Sequence, residues 1–89
     1  MKKFRNRYDH EIEEIEVISE TEKYVTLEAV AFDGKHRREM KRSNYMNYFD
    51  TWQEAKDFLV DREKEAIGKL ERQIAQHVAT LAKIEEMHR

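Results

Sequence analysis

The chain has 89 residues, 39% of them apolar and 40% charged, with no cysteine, no proline and a formal net charge of −2. That length holds a single domain with a small core. The missing cysteines exclude a disulfide framework and a thiolate metal site, and the balanced charge excludes a strong global attraction to nucleic acid. No apolar run approaches the roughly 18 residues of a membrane span. The N-terminal stretch "MKKFRNRYDH" leads into charge rather than an apolar segment, so it does not read as a signal peptide and the expected location is cytoplasmic.

Taken in chain order, residues 1–42 read as an antiparallel β-meander of three or four strands. "KKFRNRY" supplies one strand, with Phe4, Asn6 and Tyr8 on one face. In the next two, Ile15 and Val17 alternate with Glu14 and Glu16, and Val25, Leu27, Ala29 and Ala31 alternate with Tyr24, Thr26, Glu28 and Val30. A period of two puts one set on a buried face. The polar "SETEK" has hairpin length. Asp33-Gly34 predicts a two-residue type I′ turn, because Gly accepts positive φ. "KHRREMKR" follows as a charged strand. Charge is sorted along this region: Lys2, Lys3, Arg5 and Arg7, then seven acids over residues 9–22, then five Lys or Arg and one Glu over residues 35–42. Opposite charges on neighbouring strands favour register by roughly 0.2–1 kcal/mol per pair. Alternatively the basic strip 35–42 meets an acidic partner.

Residues 43–50 form an aromatic connection, "SNYMNYFD", and residues 51–88 read as one long helix. Thr51 and Glu54 fit a capping box. Trp52, Ala55 and Leu59 make one stripe with Phe58 beside it, so Phe49 and Trp52 are expected to seal sheet against helix. Tyr45 and Tyr48, next to the basic strip, are left for binding. Further on, Ile67, Leu70, Ile74, His77, Leu81, Ile84 and His88 recur at spacings of three and four, widened by Ala66 and Val78. That is an a/d seam over about three heptads. About 37 helical residues span roughly 55 Å, while a compact domain of this size has a radius of gyration of about 12 Å. The fold class is therefore α+β: a three- to four-stranded meander followed by one long C-terminal α-helix, whose half from 66 to 88 pairs in a homodimer through Ile67, Leu70, Ile74, His77, Val78, Leu81 and Ile84. The competing arrangement is a helical hairpin bent at Gly68.

Signatures of catalysis are missing. Two glycines, Gly34 and Gly68, cannot build a phosphate-cradling loop. Ser19 and Ser43 lack a nucleophile-elbow context. His10, His36, His77 and His88 form no chelating pattern, and Glu13-Glu14 and Glu85-Glu86 read as solvated face. No cofactor or metal is expected. "KHRREMKRSNYMNY" interleaves cations and aromatics, which suits nucleic acid, although the acidic stretches work against it.

The stretch "YFDTWQEAKDFL", with "VISETEKYVTL" and "KRSNY" before it, resembles a family of small phage and prophage proteins in which a short β-meander runs into a Y-F-D-T-W-E-E-A-K-like helix start. The resemblance covers residues 15–60 best and brings no catalytic motif. It implies a viral accessory protein that acts by binding a host protein, anti-CRISPR-like inhibition of a defence system included. On this reading Arg37, Arg38, Lys41, Arg42, Tyr45 and Tyr48 contact the partner. Two alternatives stand beside it: a nucleic-acid-binding accessory protein using the strip 35–42 and the nearby tyrosines, and a structural or chaperone-like protein acting through the helix alone.

Overall fold

The computed structural model describes residues 1–7 and 10–89; the expected place of Tyr8 on the first strand's face lies outside them. Five strands, β1 (Lys2–Arg7), β2 (Ile12–Glu20), β3 (Tyr24–Val30), β4 (His36–Met40) and β5 (Met46–Phe49), precede one helix, α1 (Trp52–Glu85). All pairings are antiparallel, in the order β4-β3-β2-β1-β5. The α+β class stands, with five strands where the sequence pattern predicts three or four. The fifth lies in the stretch expected to be a connection: "MNYF" is short and Asn-bearing, and it becomes a strand by pairing with β1 (Phe4 opposite Phe49, Asn6 opposite Asn47). Met1–Leu59 and Val60–Arg89 are two compact units. No helix among the described residues is long and apolar enough to cross a membrane.

The first unit owes its shape to β2. Its first half, Ile12–Glu16, pairs with β1, and its second half, from Val17 to Glu20, pairs with β3. The register slips between Val17 and Ser19, and such a bulge bends a strand and deepens its twist. The sheet curls far enough for β5 to reach the end of β4 through one backbone hydrogen bond, without a ladder between them. The Tyr48 amide on β5 donates to the Lys41 carbonyl just past β4 (2.9 Å), and the Lys41 amide donates to Lys23 O (2.8 Å). Val17, Val25, Leu27 and Tyr48 form the buried cluster inside the curl, with Ile15 and Met46 against it. β1 brings no apolar side chain to this inner face. Register places Lys3 and Arg5 there, opposite Ile15 and Glu13, and Lys3 is only 6% exposed. Its methylene stem lies in the interior and its charge needs partners.

The Asp33-Gly34 hairpin is longer than the expected two-residue turn. Gly34 N donates to Ala31 O (2.9 Å) and Ala31 N to Lys35 O (2.7 Å). Gly34 alone takes a left-handed φ of 82°, while Asp33 accepts from the Lys35 amide through Oδ1 (3.0 Å). This is a three-residue loop closing on a glycine bulge. The first hairpin has the same pair of closing bonds: His10 N donates to Arg7 O and Arg7 N to Glu11 O, each 3.3 Å, and His10 holds the left-handed φ of 71°.

The helix start is capped as expected. Glu54 N donates to Thr51 Oγ1 (3.1 Å), and the Thr51 hydroxyl donates back to Glu54 Oε1 (3.2 Å). The seal, however, does not include Trp52, which is 47% exposed with Lys56 Nζ 5.5 Å from its ring. Ala55 is fully buried, and the Phe58 ring meets Phe49 at 5.3 Å between centroids. At about 100° per residue, 55 and 58 share one face and 52 falls about 90° from its centre, on the flank. In the second unit the helix runs through Gly68 without a break, so the bent-hairpin arrangement is not formed.

Because a Cβ on Gly34 would meet nothing within 4 Å, Gly34→Ala isolates the conformational cost of the left-handed turn. It should lower stability by about 1–2 kcal/mol. His10→Gly should raise it by about 0.5–1 kcal/mol. Paired thermal or denaturant melts check both signs; equal effects of the two substitutions would contradict the shared turn.

Candidate functional site

The basic strip does not form one surface. The pleat sends Arg37 and Arg38 to opposite faces of β4, and four of the five cations are engaged within the fold. Arg37 Nη2 lies 3.1 Å from Glu39 Oε1. The Arg38 guanidinium lies over the Tyr24 ring at 4.0 Å. Lys41 Nζ pairs with Glu20 Oε2 at 2.9 Å. Arg42 donates to the carbonyls of Tyr48 and Lys41 and lies over the Phe49 ring at 4.0 Å. The sorted charges pair across neighbouring strands between β1 and β2, while the strip reaches the acidic β2 only through Lys41 and Glu20. The ladder neighbour of β4 is β3, and the acidic β2 neighbours the basic β1, giving Lys2–Glu14 (3.3 Å), Arg5–Glu13 (2.5 Å) and Arg7–Glu13 (2.9 Å).

Of the two tyrosines expected to bind a partner, only Tyr45 is available, at 69% exposed. Tyr48 is 2% exposed and belongs to the interior. Its hydroxyl donates to Glu39 Oε2 on β4 (2.5 Å) and accepts from Arg5 on β1 (3.4 Å). Burial, reinforced by the bond to Glu39 and opposed by Arg5, pushes the phenol up to about 12. The residues on either side obscured this in the sequence: in a strand, Tyr48 faces opposite to Asn47 and Phe49, which a connecting loop would not require.

A second polar cluster closes the far side of the curl. Lys3 Nζ reaches Glu20 Oε2 (2.7 Å) and the Asp50 carboxylate, and Glu20 is shared with Lys41. Hydrogen bonds from Lys3 and then Lys41 hold the Glu20 carboxyl down at about 2. Burial pulls the Lys3 ammonium down, but its bonds to Asp50 and Glu20 outweigh that and raise it. A cleft of about 340 Å³ lies against these groups, bordered by Lys3, Lys41, Arg42, Asp50 and Glu54. Lys3 and Lys41 are matched by carboxylates from Glu20 and Asp50, and Arg42 is held by backbone carbonyls. Sequence reasoning missed Lys3, Glu20 and Asp50 altogether. They lie far apart in the chain, and only the curl brings them together.

The other candidate surface lies on the second unit. Ile67, Leu70, Ile74, Val78, Leu81 and Ile84 are 49–62% exposed, and with His77 they occupy adjacent turns of one continuous helix. Solitary exposed apolar residues need no explanation, but a contiguous stripe is a candidate interaction face. Among the described residues no group of three or more His, Cys, Asp or Glu side chains could hold a metal ion. No protein-family model matches the chain, and neither a curated protein nor a solved structure matches it.

Tyr48→Phe removes the hydroxyl and leaves Glu39 and Arg5 facing each other without it. It should cost about 1–3 kcal/mol, read from denaturant unfolding. Glu20 titrates at about 2 when folded against an ordinary 4.5, so its contribution to stability is present above about pH 4.5 and is lost as the pH falls towards 2. Glu20→Gln should therefore flatten the acid limb of a stability-against-pH curve in that window. An unchanged acid limb would refute the assignment.

Proposed function

We propose that the protein is a non-enzymatic accessory protein that acts by binding another protein, and that it does so as a homodimer joined through residues 66–88 of α1. The observation that carries the homodimer is the exposed apolar stripe from Ile67 to Ile84; the host-protein reading rests on the exposed Tyr45 and Met40 near β4. Six large side chains on one helical face cost solubility unless something covers them, and their three-four spacing suits a second helix. The resemblance of residues 15–60 to phage and prophage proteins supports a bacterial host protein as the target, with a component of a defence system as the leading class and the host cytoplasm as the location. Contacts outside the seam would come from the outward-facing side chains near β4: Tyr45, Arg38 and Met40, which is 53% exposed. Tyr and Arg are enriched at the energetic centres of interfaces.

The nucleic-acid alternative draws less support. It needs a row of cations free to meet phosphates, whereas Arg37, Lys41 and Arg42 are held by Glu39, Glu20 and backbone carbonyls.

The reading predicts that the chain, purified from a host lysate, retains one host protein in stoichiometric amount. Arg38→Ala combined with Tyr45→Ala should lose that protein while keeping the native circular dichroism and melting temperature. If no host protein is retained, or if retention depends on added nucleic acid and falls steeply with salt, the protein-binding reading fails.

A further inference from the structure

The stripe on α1 has a definite register. With a at Val60, Ile67, Ile74 and Leu81, the d positions are Glu63, Leu70, His77 and Ile84. The flanking e positions are Lys64, Glu71, Val78 and Glu85, and the g positions are Leu59, Ala66, Gln73 and Thr80. The two ways of pairing this helix with a second copy differ in what they bring together.

In a parallel pair each core residue meets its own copy. Glu63 would face Glu63 and His77 would face His77, two layers of matched polar groups in the seam. The flanking contacts run from g to the following e of the partner: Leu59 to Lys64, Ala66 to Glu71, Gln73 to Val78 and Thr80 to Glu85. None joins opposite charges. In an antiparallel pair a-layers meet d-layers. Ile67 then falls opposite Ile84, Leu70 opposite Leu81 and Ile74 opposite His77, each twice by symmetry. The like-with-like Glu63 and His77 layers disappear, and the level of Glu63 falls at His88, just past the helix end. Flanking contacts now run from e to e and from g to g: Glu71 meets Val78, Gln73 meets Thr80, and Lys64 of one copy is set against Glu85 of the other at both ends of the seam.

We infer that the partner covering this stripe is a second copy of the chain running antiparallel, with the seam centred between Ala75 and Gln76 and clamped at each end by a Lys64–Glu85 pair. The inference rests on the homodimer proposed above and adds its orientation. The apolar layers supply the attraction. The charges at e and the polar residues at d select direction, because the parallel alternative collects repulsive or unmatched layers.

The chain contains no cysteine, so one introduced thiol reports on one position. A spin label at Asp61→Cys, a b position pointing away from the seam, distinguishes the cases by pulsed dipolar spectroscopy. Antiparallel pairing places residue 61 about 29 residues from its copy along the axis, so the labels lie more than about 40 Å apart. Parallel pairing brings them within about 25 Å. A short distance overturns the orientation and leaves the homodimer standing; the absence of any defined distance at high concentration overturns both. As a second readout, Lys64→Glu should weaken self-association roughly three- to ten-fold, and Lys64→Glu with Glu85→Lys should restore it. Weakening by the single substitution without restoration by the swap would contradict the clamp.

Discussion

The bridge that Tyr48 makes from β5 to the end of β4 is the constraint on which the first unit depends. Five short strands laid flat would expose two edges and bury little. Once β2 hands over from β1 to β3 at its bulge, the sheet bends far enough for Tyr48 to bridge those edges three ways: its amide to Lys41, its carbonyl to Arg42 and its hydroxyl to Glu39. The apolar cluster of Val17, Val25 and Leu27 is then roofed by the same ring.

Closure explains how a chain that is 40% charged can fold with so little core. Many of its ions fasten strands together. Glu13 holds Arg5 and Arg7, while Glu20 holds Lys3 and Lys41 from strands that are not neighbours in sequence. Exposed pairs of this kind contribute little individually, but Lys3 and Arg5 are largely covered, and a covered cation left without its carboxylate would be costly. The functional consequence follows directly. Cations engaged inside the fold are poor candidates for recruiting an external polyanion, and the outward apolar surface lies elsewhere, on the helix.

Much of the architecture was legible in the sequence where one local rule sufficed. Alternation placed Val17, Val25 and Leu27 inside, the Thr51–Glu54 box marked the helix start, and the three-four spacing of Ile67 to Ile84 marked an unbroken helical stripe. What escaped was whatever depended on contacts distant in the chain. β5 has no apolar alternation and exists because β1 offers it a ladder. Trp52 looked like a core residue by type, yet its angle on the helix puts it on the flank of the Ala55–Phe58 face. Tyr48 looked like a companion of Tyr45, three residues away; strand geometry turns one inward while the other stays exposed. The basic strip read as one surface because sequence lists residues in a line, whereas a pleated strand divides them between two faces.

Residue-resolved hydrogen exchange at the Tyr48 amide tests the closed sheet most directly. If β5 bridges β1 to the end of β4, that amide, bonded to the Lys41 carbonyl, should exchange as slowly as the Val17 amide at the centre of β2. Exchange at the rate of the loop amides, with Val17 still protected, would mean that the sheet is open at this edge, and the bridge from Tyr48 to Lys41, Arg42 and Glu39 would not hold.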